Sequence, residues 1–548
     1  MIAIHAPLAA LMLLTMPVEG DGPVASRREM ALTARYLHLP VQNGAPKRRM
    51  TLAVDGRPLR EFEIELAVGK PDFWTFADLQ EYRGRTLVVS VDAPPAGDGL
   101  AATVLAETIP DPDGAYRERL RPQFHFSSRR GWLNDPNGLV YQDGEYHLFY
   151  QHNPYGREWG NMHWGHAVSP DLVRWRELPI ALYPRRFGDW AFSGSAVVDR
   201  ADTGGFGAGG KAAMVLAFTS TGRGECIASS LDGGRTWSEF AGNPVVKHVG
   251  RDPKLLWHEP TRRWIMAVYD EGEGRRSIDF YASPDLKAWT YLSRSDGYFE
   301  CPDLFPLAVD GDPGRVLWVL HAADGRYALG DFDGTAFREW SGRHALWHGD
   351  FYAAQSFSDA PDGRRIQIGW ARGAKFPGMP FNQRMTVPVS LSLRSTAEGP
   401  RLFAEPVKEL EGLRRRALRL PDATLRDEGR ALEGCPGDLL SIRLAIEPAG
   451  SASAGITVLG VPIAYDSAAR RLRCGGVEAP LQPADGGVRL QILVDRGAIE
   501  VFAGDGRVAI SVGAVPPEAE GAPTLFARGG QARFHSVEVD EMGSIWSR

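Results

Sequence analysis

A short turn signature recurs three times in the central part of the chain, and it constrains the fold more than any other feature. Each copy has Ser-x-Asp with a Trp four or five residues after the Asp, and the copies start at Ser169, Ser230 and Ser283. The starts are 61 and 53 residues apart, about the length of one four-stranded propeller blade. Ser and Asp side chains close such turns through local hydrogen bonds, and we expect each Trp to pack between blades. Residues 120–412 are therefore predicted to form a five-bladed β-propeller.

The flanking regions show a different pattern, in which apolar and polar residues alternate. Residues 27–107 contain runs such as RMTLAVD and REFEIELAV, and residues 416–548 contain LLSIRLAI and GVRLQILVD. Alternation with a period of two, interrupted by turn residues, is typical of antiparallel strands. The predicted fold class is all-β, with a small N-terminal β-sandwich and a larger C-terminal β-sandwich on either side of the propeller.

Composition excludes several classes of protein. Hydrophobic residues make up 43% and charged residues 24% of the 548 residues, which is ordinary for globular domains and not for disordered or fibrous chains. A net charge of −6 without long basic runs argues against a nucleic-acid partner. The 15 Trp residues suit carbohydrate binding, because flat rings stack on sugar faces. The four cysteines show no CxxC spacing, so we expect no metal site and no cofactor, although a Cys435–Cys474 bridge stays open.

The first 25 residues contain an apolar run, Met1 to Met16, that resembles the central part of a secretory signal. The run is shorter than the roughly 20 residues needed to cross a bilayer, and no basic residue precedes it. We therefore expect a secreted or periplasmic protein that is not embedded in a membrane.

Three acidic segments lie in the predicted propeller, around Asp135, Asp252 and Glu300. Taken alone, each is equally typical of a turn, as in the Asn-Asp-Pro-Asn-Gly run around Asp135. They are 117 and 48 residues apart, so no local element joins them, and each enters a different predicted blade. The inner strands of a propeller converge on its axis, which would bring the three acids together. Paired carboxylates in such a funnel are what glycoside hydrolysis requires.

The sequence around these acids resembles glycoside hydrolase family 32, the β-fructosidases. The resemblance covers residues 121 to 415 and rests on WLNDPNG, FYQHNPYGREWGNMHWGHAVSPDLVRW, FSGSAVV, RDPK, ECPDLF, GDFDG and DFYAAQSF. The EWGN stretch at Glu158 looks more like levanases and exo-inulinases than like sucrose-preferring invertases. Leu133 stands where the family usually has Met, an apolar exchange of small consequence. The N-terminal sandwich resembles an accessory domain of some bacterial members.

The resemblance implies a role for each acid in a retaining reaction. Asp135 would be the nucleophile, Glu300 the general acid/base and Asp252 the stabiliser of the transition state. Asp135 would have to stay ionised, helped by Asn134, and Glu300 would have to stay protonated, helped by burial and nearby negative charge. A retaining mechanism predicts that the carboxyl groups of Asp135 and Glu300 lie about 5–5.5 Å apart.

The resemblance also implies a pocket for a fructosyl unit of a fructan or fructo-oligosaccharide. For the aromatic residues of this pocket, packing between blades is the alternative explanation, and for Trp370 the two explanations have equal weight. Four histidines between 147 and 166 cluster in one segment, but their spacing across strands does not suit a metal. The predicted substrate-binding residues are Asn134, Gln151, Trp159, Phe192, Ser193, Arg251, Tyr352 and Trp370.

The expected function is release of fructose from levan or inulin, from the non-reducing end, with sucrose as a further substrate. Two alternatives stay open on the sequence: transfer of the fructosyl group to another sugar or within the chain to form a difructose, and a non-catalytic fructan-binding protein. Arabinan-cleaving enzymes share the architecture, but WLNDPNG and ECPD argue against them. The preference for β-2,6 or β-2,1 linkages, exo or endo action and the role of the N-terminal sandwich are not predicted.

Overall fold

In the computed structural model the chain is built almost entirely of β-strands. The structure describes residues 26–92, 97, 99–435, 437–515 and 521–546. The apolar segment predicted to be a secretory signal lies outside these residues. In the described part of the chain, helix is limited to α1 (Gly99–Ala102) and a few short 3₁₀ turns, and none has the length of a membrane span.

The N-terminal sandwich consists of two antiparallel sheets. Its strands are β1 (Ser26–Ala31), β2 (Tyr36–Val41), β3 (Arg48–Val54), β4 (Arg57–Ile64), β5 (Phe73–Asp78), β6 (Thr86–Val91) and β7 (Val104–Ala106). One sheet has the order β1-β6-β3-β4 and the other the order β5-β2-β7. Leu37, Leu52 and Val89 are fully buried between them, as the alternation of apolar residues predicts. Strand β4 is an edge strand, and it faces the propeller.

Five four-stranded blades follow, which confirms the predicted propeller. Blade I is β8 (Gly131–Gln142), β9 (Glu145–Asn153), β10 (His163–Ser169) and β11 (Arg176–Leu182), and blade II is β12 (Ala191–Asp199), β13 (Ala213–Ser220), β14 (Gly224–Ser230) and β15 (Ser238–Glu239). Blade III is β16 (Gly250–His258), β17 (Arg263–Asp270), β18 (Ser277–Ser283) and β19 (Thr290–Asp296), and blade IV is β20 (Asp303–Val309), β21 (Asp312–His321), β22 (Arg326–Phe332) and β23 (Phe337–Glu339). Between blades IV and V lie β24 (His344–Ala345) and β25 (Trp347–Gly349). Blade V is β26 (Tyr352–Ser356), β27 (Arg365–Trp370), β29 (Val389–Arg394) and β30 (Arg401–Pro406), while β28 (Phe381–Asn382) pairs with β8.

The repeated turn signature joins the third and fourth strands of blades I, II and III. In each copy the Ser hydroxyl donates to the Asp carboxylate, at 3.0, 2.8 and 3.0 Å, and the carboxylate accepts backbone N–H groups. Trp237 of blade II packs edge-on against Phe149 of blade I, with ring centroids 5.6 Å apart. A fourth turn of this kind, around Asp333 in blade IV, was not predicted. Its sequence carries Phe337 in place of Trp.

The C-terminal sandwich consists of an eight-stranded and a six-stranded sheet. Its strands are β31 (Arg414–Leu420), β32 (Ala423–Arg426), β33 (Gly429–Ala431), β34 (Leu440–Glu447), β35 (Ser453–Val458), β36 (Val461–Asp466), β37 (Arg471–Cys474), β38 (Val477–Pro480), β39 (Val488–Asp495), β40 (Ala498–Ala503), β41 (Val508–Val512), β42 (Thr524–Arg528) and β43 (Gln531–Met542). Strand β25 of the propeller region pairs in parallel with β41 and so completes the larger sheet. Cys435 and Cys474 are both buried in this sandwich as free thiols, so the bridge left open by the sequence is absent from it.

Buried charges join the propeller to the C-terminal sandwich. Arg384 is fully buried and donates to Glu500 Oε1 at 3.0 Å and to Ser511 Oγ at 3.2 Å. His125 Nδ1 lies 2.9 Å from Asp495, and its Nε2 lies 3.5 Å from Glu500. The two carboxylates raise the pKa of His125 although burial acts to lower it. Each buried charge in this network therefore depends on an opposite charge beside it to offset the cost of removing it from water.

Arg384→Met should destabilise the protein by roughly 3–5 kcal/mol, because it leaves Glu500 buried with only His125 as a cationic partner. Thermal and urea unfolding measure this loss. Arg419→Met is the matched control, since Arg419 is exposed and its pair with Glu538 contributes little. Equal midpoints for the two variants would show that the buried network does not hold the interface.

Candidate active site

The inner strands of four blades carry a register shift near the same end, and candidate site residues lie at these shifts. The shifts fall between Leu133 and Pro136 in β8, between Ala191 and Gly194 in β12, between Arg251 and Lys254 in β16, and between Tyr352 and Gln355 in β26. A β-bulge bends its strand and redirects a side chain. The bulges thus turn Asp135, Ser193 and Asp252 out of the regular strand ladder.

Blade IV contributes its acid in a different way. Glu300 and Cys301 directly precede β20, and both have left-handed backbone conformations, with φ of 52° and 41°. Asp252 is also left-handed, with φ of 69°. Non-glycine residues rarely adopt this conformation, and such strain is concentrated at functional sites.

The thiol of Cys301 lies between two of the acids and shows how closely they approach. Its Sγ is 3.4 Å from Asp252 Oδ2 and 3.8 Å from Asp135 Oδ2. The backbone N–H of Cys301 also donates to Asp252 Oδ2, at 3.0 Å. Since Glu300 is the residue before Cys301, acids from blades I, III and IV meet at one point.

Asp135 accepts hydrogen bonds from Ser193 of blade II and from its neighbour Asn134. Ser193 Oγ donates to Asp135 Oδ2 at 2.6 Å, and the Asn134 side chain is fixed by the Trp132 indole N–H, which donates to its Oδ1 at 2.9 Å. Burial raises the pKa of Asp135, the bonds from Ser193 and Asn134 act to lower it, and the charge of Glu300 adds to the rise. The amide assistance expected from the sequence is thus present, although burial outweighs it.

Glu300 is held by two strong donors from neighbouring blades. Arg251 donates to Glu300 Oε1 through Nη2 at 2.6 Å and Nε at 3.1 Å, and the Tyr352 hydroxyl donates to Oε2 at 2.7 Å. A second carboxylate, Glu271, accepts from Arg251 Nη1 at 3.0 Å. Proximity to Glu300, together with burial, raises the pKa of Tyr352.

Asp252 is the most deeply buried of the three acids, at 6% exposed. Burial and the charges of Asp135 and Glu300 raise the pKa of Asp252 to about 8, although the charge of Arg251 acts to lower it. Its backbone N–H donates to Thr219 Oγ1 at 3.0 Å, and that hydroxyl donates to Glu225 Oε2 at 2.8 Å. At neutral pH Asp252 therefore holds its proton more firmly than an ordinary aspartate does.

Asp252→Asn should stabilise the protein increasingly between pH 4 and pH 8. The unfolded chain loses the Asp252 proton near pH 4 and the folded chain near pH 8, so the wild type loses stability over that interval while the amide does not. The gain above pH 8 should reach several kcal/mol, because one pKa unit corresponds to about 1.4 kcal/mol. Thermal unfolding of both proteins from pH 4 to pH 9 tests this expectation, and a difference independent of pH would contradict it.

The remaining predicted residues form one chain of contacts around the acids. Phe192 precedes Ser193 and meets Trp159, with ring centroids 6.0 Å apart. Gln151 donates from Nε2 to Ala191 O at 2.9 Å, next to Phe192. Trp370 meets Tyr352 and Trp132 with centroids 6.1 and 6.0 Å apart. The structure thus brings the eleven predicted site residues together.

Three contributors were not among the predicted site residues. Cys301 contacts two acids, Glu271 binds Arg251, and Thr219 supports the backbone of Asp252. Cys301 could have been found from its place next to Glu300. Thr219 lies in a second strand of a different blade, and no local sequence pattern marks it.

The clustered histidines are buried and uncharged. Burial lowers the pKa of His147 to about 4 and those of His152 and His163 to about 3, and it also lowers that of His166. His147 Nδ1 lies 3.0 Å from His166 Nε2, a bond between two core side chains. Among the residues that the structure describes, no group of three or more His, Cys, Asp or Glu is arranged to hold a metal ion.

Sequence comparison identifies relatives across most of the chain. The model of the glycosyl hydrolases family 32 N-terminal domain matches residues 125–406, just over half of the chain, and the model of the family 32 C-terminal domain matches residues 465–541. A levanase of Bacillus subtilis is 38% identical over 79% of this chain and 72% of its own length. The extracellular exo-inulinase of Aspergillus niger is 30% identical over 79% of this chain and 96% of its own.

Comparison of structures gives the same result. The exo-inulinase of Aspergillus awamori superimposes with a TM-score of 0.71 at 28% identity, over 79% of this chain and all of that chain. Both family models begin after the N-terminal sandwich, which is therefore an addition to the shared core. Propeller, C-terminal sandwich and motifs agree, and the chain belongs to glycoside hydrolase family 32 and is a glycosidase.

Proposed function

We propose that this protein is a retaining β-fructosidase that releases fructose from fructans, acting from the non-reducing end. The observation that carries the proposal is the convergence of Asp135, Asp252 and Glu300 on Cys301. A double displacement needs two carboxyl groups beside the bond that breaks, and here Asp135 and Asp252 contact Cys301 while Glu300 directly precedes it.

In the first step Asp135 attacks the anomeric carbon of the terminal fructosyl unit. An ester bond forms between its carboxylate and that carbon, the glycosidic C–O bond breaks, and Glu300 gives its proton to the departing oxygen. Water then attacks the same carbon, transfers a proton to Glu300 and releases Asp135. The Ser193 hydroxyl holds the attacking carboxylate in one orientation throughout.

Arg251 and Tyr352 act on Glu300 as positioning residues. Both donate to its carboxylate when no sugar is bound, so they set the direction in which its proton is presented. Asp252 lies beside Cys301 with its backbone fixed by Thr219, and it would accept hydrogen bonds from fructose hydroxyls and stabilise the positive charge that develops on the sugar.

The sugar-binding residues supply a pocket for one furanose ring. Asn134 and Gln151 provide amides, and Tyr352 and Trp370 form one aromatic side. Trp159 is 47% exposed, although an indole usually packs in a core, and it stands beside Phe192 on the other side. An exposed ring at the edge of this pocket suits contact with the sugar unit on the far side of the bond to be cleaved.

The substrate class follows from the relatives, which are named levanase and exo-inulinase. Fructans are polymers too large to enter a cell intact, and the Aspergillus niger relative is named extracellular. We therefore place this enzyme outside the cytoplasm.

Product analysis by anion-exchange chromatography tests this function. The enzyme is incubated in parallel with levan, inulin and sucrose, and the account predicts steady release of fructose from a polymer. The ratio of the rates on levan and inulin sets the linkage preference. Oligosaccharides as the first products would contradict release from the chain end, and no product from any of the three would contradict the substrate class.

A further inference from the structure

The N-terminal sandwich contacts the propeller beside the proposed active site. The side chain of Asn161 binds both backbone groups of Glu63 in β4: its Oδ1 accepts from Glu63 N at 2.9 Å and its Nδ2 donates to Glu63 O at 2.8 Å. Glu63 uses neither group to pair with β3, since both point outwards from the sheet edge. Asn161 therefore caps the edge strand as an added strand would.

The sandwich makes further contacts with two loops of the propeller, residues 153–161 and 183–190, which we call the rim loops. The ring of Phe62 stacks on Tyr155 with centroids 3.6 Å apart. The guanidinium of Arg60 lies 3.6 Å from the centroid of Tyr183, and that of Arg49 lies 4.3 Å from the centroid of Phe187. Each rim loop is thus held by the sandwich at two or more points.

The rim loops carry aromatic side chains that continue towards the acids. Trp159 belongs to the first loop and Trp190 to the second, and their rings meet edge to face at 5.3 Å. Both approach Phe192, at 6.0 and 6.2 Å. We call Trp159, Trp190 and Phe192 the aromatic wall. It leads directly to Ser193, which donates to Asp135.

The first rim loop is anchored to the propeller at Pro154 and Arg157, whereas on either side of Trp159 its hydrogen bonds run through Asn153 and Asn161. Asn153 closes it from inside, donating from Nδ2 to Glu158 O at 2.9 Å and accepting from Asn161 Nδ2 at 3.1 Å. Trp159 lies between these two amides and is the most exposed member of the wall. An exposed ring contributes to binding only if its loop is already ordered, because ordering it on binding costs affinity.

We propose that the N-terminal sandwich is a positioning element of the substrate site, which fixes the aromatic wall for sugar units beyond the terminal fructose. The inference rests on the proposed function and adds a role to the domain that both family models leave out. Asn161 and the Glu63 backbone are its positioning groups. The terminal fructose pocket around the acids does not depend on them.

Glu63→Pro tests the proposal from the side of the sandwich, and Glu63→Ala is its matched control. Proline removes the N–H that binds Asn161 and is tolerated on an edge strand whose N–H faces outwards, whereas alanine removes only the side chain. Both are made in the Asp135→Asn background, in which hydrolysis is slowest, and binding of an inulin-type tetrasaccharide and of fructose is measured by calorimetry. We expect Glu63→Pro to raise the Kd of the tetrasaccharide roughly five- to tenfold over Glu63→Ala, with the Kd of fructose unchanged.

Asn161→Asp changes the same contact on the propeller side. It keeps the proposal testable if the proline variant fails to fold. Its carboxylate still accepts from Glu63 N but repels Glu63 O, so it should weaken tetrasaccharide binding in the same selective way. Equal tetrasaccharide affinities in all three variants would overturn the positioning role. Absence of fructose release from fructans by the wild type would instead overturn the proposed function, so the two failures are distinguishable.

Discussion

Asp135→Asn should reduce kcat on every β-fructoside by at least about 10⁴-fold, the largest effect expected of any single change in this protein. The amide keeps the shape of the side chain and can still accept the Ser193 hydroxyl bond. It cannot form the ester with the anomeric carbon, so the first step of the double displacement is lost. The loss should be the same for levan, inulin, sucrose and aryl fructosides, because each substrate requires the same attack.

Ser193→Ala is the control for Asp135→Asn, since it removes only the 2.6 Å bond that orients the carboxylate. We expect it to reduce kcat by roughly 10-fold to 100-fold, in line with the misplacement of a reacting group. The thermal midpoints of both variants should stay close to that of the wild type. If Asp135→Asn kept more than a few per cent of the activity, Asp135 would not be the nucleophile.

Glu300→Gln should reduce kcat on fructans by roughly 10²–10⁴-fold, the usual contribution of general acid–base catalysis. The glutamine can still accept from Arg251 or Tyr352, so the pocket should keep its shape and its affinity for sugar. The loss should be much smaller in the first step with a p-nitrophenyl fructoside, because that leaving group departs without a proton. A burst of p-nitrophenol followed by slow turnover would separate the two roles of Glu300.

Tyr352→Phe provides a comparison for Glu300→Gln, because it removes one donor to Glu300 and leaves the carboxyl in place. It should have a smaller effect on all substrates and no preference for a good leaving group. A Glu300→Gln variant whose first step slowed equally on fructans and aryl fructosides would exclude Glu300 as the proton donor.

Much of the fold could be predicted, because the decisive signals are local. The Ser-x-Asp turns form their bonds within five residues, so the three copies at Ser169, Ser230 and Ser283 predict hairpins at the spacing of blades. The fourth turn, at Asp333, lacks the signature, because Asp331 stands in place of Ser and Phe337 in place of Trp. The completion of the C-terminal sheet by β25 was also missed, since a three-residue strand carries no periodicity.

The grouping of the acids could be expected from topology, but their environments could not. Which blade each acid enters follows from the order of the chain, whereas the pKa of Asp252 depends on burial and on charges more than 40 residues away. The same holds for Thr219, whose part in the site arises only when blades II and III pack side by side, and for Glu271, which meets Arg251 across the β16–β17 hairpin. The docking of the N-terminal sandwich is of the same kind, because Asn161 recognises backbone groups of Glu63 that any residue would present.

The central claim is a double displacement at Asp135 on a fructoside, and trapping with methanol tests it most directly. The enzyme acts on inulin or levan in dilute methanol, and the product is identified by NMR. A covalent fructosyl-enzyme can be opened by methanol on the face from which the leaving group departed, so the account predicts methyl β-D-fructofuranoside. Formation of the α-anomer would show inversion and contradict the account.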